Sequence, residues 1–280
     1  MKRSFKYILI LIAGILLGIL ANRNKGYLIN AQFIRDHLHF RKSVENPGEL
    51  LKSSDLMVVL TFGQSNAGNY GDGDYVSKQE VYNYYKGDIY KAKEPLLGPD
   101  GGGASVWTRV GDLLIAKGLY KKVIIVPCAI GSTSVQCWSE GFCKEKLLKT
   151  LAYLKKDNIK LTHVFWDQGE TDNVDGTTKE QYKKRLKEVI NLIKEYDAEV
   201  PFFTTVSSYY PYGNNNSYGI SQAVVTAQNE VIAEIATVKR GPNTDSLNLA
   251  YYRQGGAHFT EKGLDLLAQK WVEKIEQNSK

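Results

Sequence analysis

Three short stretches of this chain place nucleophilic, basic and carboxylate side chains where an α/β protein would use them. The first is Gly63-Gln64-Ser65-Asn66-Ala67, directly after the apolar run Leu56 to Phe62. A serine straight after the first buried strand lies at the carboxyl edge of a parallel sheet, where ligands bind in open α/β folds. Gly63 permits the sharp turn that would expose the hydroxyl. The stretch is not a G-x-S-x-G elbow, because Ala67 replaces the last glycine and because it comes at the first strand. Read locally, Ser65 is equally a helix cap. The second stretch is Phe165-Trp166-Asp167-Gln168-Gly169-Glu170-Thr171-Asp172, again a buried run passing into polar residues. The Gln168 amide is a candidate donor to a developing oxyanion. Glu170 and Asp172 are candidates to orient a histidine or to fix the loop, and a turn-rich loop with no chemistry is the bland alternative. The third is Gly255-Gly256-Ala257-His258-Phe259-Thr260.

The chain has only four histidines. His37 and His39 precede the regular part of the sequence, and His163 falls within an apolar strand and reads as a packed side chain. His258 alone occupies a glycine-rich loop leading into a helix, from which it can reach the same sheet edge as Ser65; as a surface or capping residue it would do no chemistry. A serine with a histidine within reach is the minimal apparatus for acyl transfer. A fourth stretch, Cys128-Ala129-Ile130-Gly131-Ser132-Thr133-Ser134, follows the run Val123 to Pro127, and Gly131 lets a backbone N–H approach a ligand with no side chain in the way.

The elements that must position these residues are legible as an alternation. Apolar β-like runs at Leu56 to Phe62, Lys122 to Pro127, Leu161 to Trp166 and Pro201 to Ser207 are interleaved with helical periodicity at Thr108 to Lys117, Lys144 to Lys156, Thr178 to Tyr196, Ser221 to Val238 and Thr260 to Glu276. Continuous apolar strands alternating with helices imply a parallel sheet covered on both faces. No internal repeat is present. Long loops rich in Gly, Asn and Tyr fall at residues 68–105 and 208–220, where binding would be built. Tyr82, Tyr84, Tyr85, Tyr209, Tyr210 and Tyr212 in these regions would suit stacking on sugars.

In order, Gly-Gln-Ser-Asn, Gly-Ser-Thr-Ser with a following Trp138, Trp-x-Gln-Gly-Glu-x-Asp and a late Gly-x-His-Phe-Thr resemble the sialate O-acetylesterase-like branch of the SGNH hydrolases, to which acetylxylan esterases of carbohydrate esterase family six belong. The resemblance spans about residues 55 to 275, and the Gln-Gly-Glu-x-Asp block is its most specific part. It implies a flavodoxin-like three-layer α/β sandwich with a five-stranded, mostly parallel sheet. It also implies a serine esterase that removes O-acetyl groups from a poly- or oligosaccharide without a metal or organic cofactor. Ser65 is then the nucleophile and His258 its base. The oxyanion is held by the N–H groups of Ser65 and Gly131 and by the Gln168 amide, while Gln64, Asn66 and Asp172 shape the site. The sequence departs from the family at one place: the Asp expected three residues before the histidine is Gly255. Glu170 is the expected stand-in, with Asp172 and Asp245 weaker candidates and an unassisted Ser-His dyad the alternative. Two other activities fit the same blocks, a catalytically weakened glycan-binding module and an acetyl transferase acting on an extracytoplasmic glycan.

Composition bounds the rest. Of 280 residues, 43% are apolar and 24% charged, ordinary for a globular protein. The net charge of +6 comes largely from lysines at helical spacing, a solvated face with no nucleic-acid module. Lys2, Arg3 and Lys6 precede an apolar run from Tyr7 to Ala21. The run is shorter than the roughly 20 residues of a membrane span, which favours a signal peptide. Ile19 and Ala21, or Ile29 and Ala31, fit a cleavage site poorly, which favours an uncleaved anchor. Residues 1–21 are accordingly expected to be a signal-anchor or signal peptide, 22–50 a stalk and 51–280 the catalytic domain, exported and attached to the membrane or secreted. Cys137 and Cys143 bracket a short loop and are expected to pair in an oxidising compartment, with Cys128 buried and free. Neither the sugar nor the oligomeric state can be read from the sequence.

Overall fold

The computed structural model describes residues 41–212 and 219–278. The expected signal segment, most of the stalk, His37 and His39 lie outside the described residues. The unit considered below is Ser43–Lys280. No helix among the described residues is long and apolar enough to cross a membrane.

In chain order the elements are helix α1 (Pro47–Leu51), strand β1 (Leu56–Gly63), a 3₁₀ turn (Ser65–Ala67), strands β2 (Val81–Tyr85) and β3 (Asp88–Lys91), helix α2 (Trp107–Ala116), strand β4 (Lys122–Pro127), and helices α3 (Val135–Glu140) and α4 (Phe142–Lys156). There follow strand β5 (His163–Asp167), helices α5 (Glu170–Asp175) and α6 (Lys179–Tyr196), strand β6 (Phe202–Val206), helix α7 (Gln222–Glu234) and strand β7 (Val238–Asn243). A second 3₁₀ turn (Thr244–Ser246), the short strands β8 (Arg253–Gln254) and β9 (His258–Phe259), and helix α8 (Glu261–Asn278) complete the chain.

Seven strands form one sheet in the order β3-β2-β4-β1-β5-β6-β7. Every neighbouring pair is parallel except the β2–β3 hairpin. The expected five-stranded core is present as β4-β1-β5-β6-β7, the flavodoxin-like order, with β1 at the switch point. The hairpin extends it beyond β4. Its sequence, Val81-Tyr82-Asn83-Tyr84-Tyr85-Lys86-Gly87-Asp88, reads as loop because half its residues are polar. Tertiary contacts decide otherwise: Asn83 is fully buried, its amide donating to the Leu97 carbonyl at 3.1 Å and its carbonyl accepting from the Leu97 N–H at 2.7 Å.

Strand β1 shows why both faces are covered. Val58, Leu60 and Phe62 enter one core with Trp138, Leu147 and Leu151, Trp166, Leu186 and Ile190, and Val231. Met57 and Val59 enter the other with Trp107, Val110, Phe165, Leu267 and Trp271. Side chains alternate along a strand, so a strand buried on both faces must be apolar throughout. Helices α4, α6 and α7 cover the first face and α2 and α8 the second.

Helix boundaries follow their caps. Thr178 forms a capping box with Gln181 at the start of α6, and Ser221 caps α7 by accepting from the Val224 N–H. Helix α7 stops at Glu234, four residues before the expected end, because Val238 pairs with Phe202 and opens β7. The expected stalk also ends early. Val44 donates its N–H to the Ile89 carbonyl at 2.7 Å, and Leu50 is buried against the first core. Residues 43–50 are therefore part of the domain.

Candidate active site

Strand β1 ends at Gly63, whose φ of +132° belongs to glycine. A Cβ there would lie 2.0 Å from the Asp167 carbonyl oxygen of neighbouring β5, so the approach of the two strand ends also requires it. The chain then turns through Ser65–Ala67. Ser65 does not act as a helix cap: Gln64 occupies the cap position. Among the described residues no hydrogen bond engages the Ser65 hydroxyl, and its side chain is nearly covered.

The flanking residues hold this turn. The Gln64 side-chain oxygen Oε1 accepts from the Gly169 and Thr171 N–H groups at 3.3 and 3.0 Å and from the Gln168 amide at 3.1 Å, tying the serine turn to the end of β5. The Asn66 amide donates to Glu170 Oε1 at 2.5 Å and to the Ala257 carbonyl at 3.4 Å. That second bond joins residues 191 apart and brings the peptide before His258 onto the serine turn. Strand β9, which carries His258, packs against the same turn. Ser65 and His258 are thus brought to one edge of the sheet, with the Tyr70 ring 5.1 Å from the imidazole. Burial, and then the charge of Arg253, hold His258 below the ordinary histidine value, so the imidazole is neutral at pH 7.

Glu170 comes to the site, where it shares the Asn66 amide with the carbonyl that precedes His258. It lies at the start of α5, fully buried, with Oε1 on Asn66 and Oε2 without a hydrogen-bond partner. Its Oε1 is taken by the Asn66 amide, and no hydrogen bond or ion pair between the carboxylate and the imidazole is formed among the described residues. Burial raises its proton affinity and Arg253 opposes that. Asp245 is also elsewhere, receiving the N–H groups of Ser208 and Tyr209 and the Ser208 hydroxyl. Gly255 has φ of +52° and open space where a Cβ would stand.

Two expected oxyanion donors are committed to other partners. The buried Gln168 amide donates to the Thr133 carbonyl at 3.0 Å and to Asp172 Oδ2 at 2.6 Å as well as to Gln64, and its carbonyl oxygen accepts from Tyr182. A two-proton amide facing three acceptors has nothing left for substrate. Gln168 is a brace, and so is Asp172, which also receives the Val135 N–H at 2.8 Å at the start of α3 and the Thr177 hydroxyl at 2.8 Å. The Gly131 N–H donates to the Asp100 carboxylate, at 2.8 Å to Oδ1 and 3.1 Å to Oδ2. The close approach at Gly131 is to Tyr70, whose hydroxyl would lie 2.4 Å from a Cβ there and donates to Asp100 Oδ2 at 2.9 Å. Of the three expected donors, only the Ser65 N–H is drawn into no other bond among the described residues.

Asp100, Tyr70 and Arg253 are site residues that sequence reasoning missed. Asp100 lies in a run of glycines with no period, and Arg253 sits five residues before the histidine with nothing local to mark it. The tyrosines divide. Tyr84 is buried in the hairpin and donates its hydroxyl to Asp157, whereas Tyr212 is 71% exposed and, with Pro211, packs beside Gly256 in the histidine loop. His163 is a packed side chain as expected, set between Thr162 and Tyr120 and lowered by burial to about 4. Cys137 and Cys143 form a disulfide with Cα atoms 5.2 Å apart, and Cys128 is buried and free.

Residues 55–277 match the family described as "Carbohydrate esterase, sialic acid-specific acetylesterase". The chain belongs to this family. It is a carbohydrate acetylesterase, a carboxylic ester hydrolase with the SGNH fold. Solved structures of similar fold include a protein from Arabidopsis thaliana, with 18% identity over 80% of this chain and 98% of that one and a TM-score of 0.65. NanS is similar over 79% of this chain and 97% of its own, at 15% identity and a TM-score of 0.60. A carbohydrate acetylesterase from Xanthomonas citri aligns at 14% identity and a TM-score of 0.58 over 79% of this chain, which spans 56% of that protein. No curated protein matches the sequence.

Proposed function

We propose that this acetylesterase works through a Ser65–His258 dyad on an O-acetylated glycan outside the cytoplasm. The observation that carries the reading is the meeting of the serine turn with the peptide before His258 at the switch point of the sheet. His258 is the one imidazole of the described residues at that edge, and it is neutral at pH 7, the state a general base requires.

Ser65 Oγ attacks the acetyl carbonyl carbon as His258 takes the hydroxyl proton. The oxyanion so formed is received by the Ser65 N–H. The C–O bond to the sugar breaks, and His258 returns the proton to the departing sugar oxygen, leaving acetyl-Ser65. Water then gives a proton to His258 and attacks the acetyl carbon. The bond from the acetyl carbon to Ser65 Oγ breaks, His258 returns its proton to Oγ, and acetic acid leaves and gives its remaining proton to solvent as acetate. Among the described residues no carboxylate forms an ion pair or hydrogen bond with the imidazole, so backbone or solvent serves as acceptor for its second nitrogen.

The test is hydrolysis of a chromogenic acetyl ester and of a panel of acetylated glycans. Ser65→Ala and His258→Ala are each expected to lower kcat by about 10³-fold or more, the scale seen when a triad member is removed. Retention of activity by either variant would overturn the assignment. Acetyl transfer to an added glycan in preference to water would make the protein a transferase with the same dyad. Export is supported by the Cys137–Cys143 disulfide, which belongs to oxidising compartments. Protease accessibility of the domain on intact cells checks it, and a cytoplasmic protein with both thiols reduced would refute it.

A further inference from the structure

Arg253 carries a positive charge into the interior beside the catalytic base. Its side chain is only 3% exposed. Nε donates to the Leu247 carbonyl at 2.8 Å, Nη2 to the Thr244 carbonyl at 2.9 Å and Nη1 to the Ala257 carbonyl at 2.5 Å. The guanidinium lies over the Phe259 ring, 4.1 Å from its centre, and 5.3 Å from that of Tyr209. No ion pair with a carboxylate is formed among the described residues, although Glu170 and Asp167 each keep one buried oxygen without a partner and Asp245 is near enough to act on the charge. A buried charge is costly unless its surroundings are built for it. Here a planar fork with several fixed donors serves three carbonyls from two segments, the turn after β7 and the strand of the catalytic histidine.

The consequence for His258 is geometric. Arg253 pairs with Phe259, and Gln254 with His258, across the β8–β9 ladder. The Ala257 carbonyl that receives Nη1 also receives the Asn66 amide. One carbonyl therefore ties Arg253, the peptide preceding His258 and the serine turn into a single joint. Gly255 offers no side chain that could do this work.

We propose that Arg253 is a positioning residue of the reaction, fixing the Ala257–His258 peptide against the Ser65 turn with its fork. This rests on the Ser65–His258 reading and extends it. Arg253 touches neither substrate nor the attacking oxygen; it acts through His258. The groups that face the imidazole or its neighbours are Tyr70 beside the ring, Asp72, whose N–H donates to the Phe259 carbonyl, and Glu261 and Lys262 at the start of α8. Behind Arg253 stand Glu170, Asp167, Asp245 and Tyr209. Burial and then Arg253 lower the histidine. A lowered histidine keeps its base form to lower pH, so the acidic limb of kcat/KM lies below the ordinary histidine value. Removing the Arg253 charge moves that limb up.

The experiment measures kcat/KM against pH on a chromogenic acetyl ester for the wild type, Arg253→Gln and Arg253→Lys. In parallel the His258 imidazole is titrated by NMR, assigned by its loss in His258→Ala; with four histidines in the chain the spectrum is sparse. Arg253→Gln is expected to lower kcat roughly 10- to 100-fold, the range that a slightly misplaced catalytic group costs. It is also expected to move the acidic limb and the His258 titration together to higher pH. Arg253→Lys keeps the charge but cannot reach three carbonyls, so kcat falls while the limb stays. A wild-type kcat and limb in Arg253→Gln overturn the proposal. If that variant does not fold, Arg253→Lys decides: a lowered kcat with an unmoved limb supports it, and an unchanged kcat or a limb moved upward overturns it. The underlying reading fails separately, by activity surviving in Ser65→Ala or His258→Ala.

Discussion

Gly255 stands where the resemblance led to the expectation of an Asp, and it offers a direct test of what an orienting carboxylate would add. Its φ of +52° is left-handed, a region Asp tolerates better than most side chains, at a cost of about 1–2 kcal/mol. No atom lies within 4 Å of a Cβ built there. Gly255→Asp is expected to fold, to raise the histidine because a nearby anion favours the imidazolium, and so to move the acidic limb of kcat/KM to higher pH with a rise in kcat. An unmoved limb would show that position 255 does not face the imidazole. The candidacies of Ser65 and His258 were legible in the sequence, because the serine follows the first apolar strand and the histidine alone of the four lies in a glycine-rich loop. The partner of the Glu170 carboxylate was not, since the Asn66 amide that holds Oε1 is distant in sequence.

At the level of elements, the loop between β4 and α3 is held from below by the Gln168–Asp172 brace and from beyond by the Cys137–Cys143 disulfide, which ties α3 to the start of α4. Trp138, on α3, packs edge-on to Phe62 at 5.3 Å and donates its indole N–H to Thr133 at 3.0 Å. Replacing both cysteines by serine is expected to destabilise the domain by about 2 kcal/mol, the loop-closure value for so short a ring. Denaturant unfolding measures it, and equal midpoints with and without reductant in the wild type would contradict it. Spacing together with the expected export announced this pair. By contrast the β2–β3 hairpin, β7 and the β8–β9 ladder were not legible, because strands of two to six residues with Asn, Gly, Pro or Arg in them carry no period and take their form from partners such as Val238 on Phe202.

For the whole molecule, the site rests on buried acids. Glu94, Asp167, Glu170, Asp172 and Asp245 are all raised, chiefly by burial, and Asp167 reaches about 7. A carboxyl raised on folding binds its proton more tightly in the native state. Its contribution to stability is therefore fullest below the unfolded carboxylate value of about 4 and is lost as pH rises through the folded value. For Asp167 that window runs from about 4 to about 7. Glu230 and Glu234, lowered by Lys179, Lys183 and Lys187 on the surface, have the opposite sign and act only at more acid pH. Asp167→Asn is expected to raise Tm relative to the wild type at pH 8 and to gain less at pH 5.5. A larger gain at the lower pH would show that Asp167 is ionised and needed as a counter-charge to Arg253.

The sequence by itself determined the layered α/β architecture, the placing of Ser65 and His258 at the ends of elements, the capped helices and the disulfide. Each of these depends on local information: periodicity, a cap residue, a residue type at a strand end, or two cysteines a few positions apart. The tertiary structure decided which polar groups meet. Gln168 became a brace because Thr133, Gln64 and Asp172 converge on it, the Gly131 N–H went to Asp100, and Glu170 turned to Asn66. Arg253 entered the site only when β8 and β9 paired. Hydrogen bonds and buried charges are short-ranged and directional, and their partners here stand up to 191 residues apart, so only the closed fold could assign them.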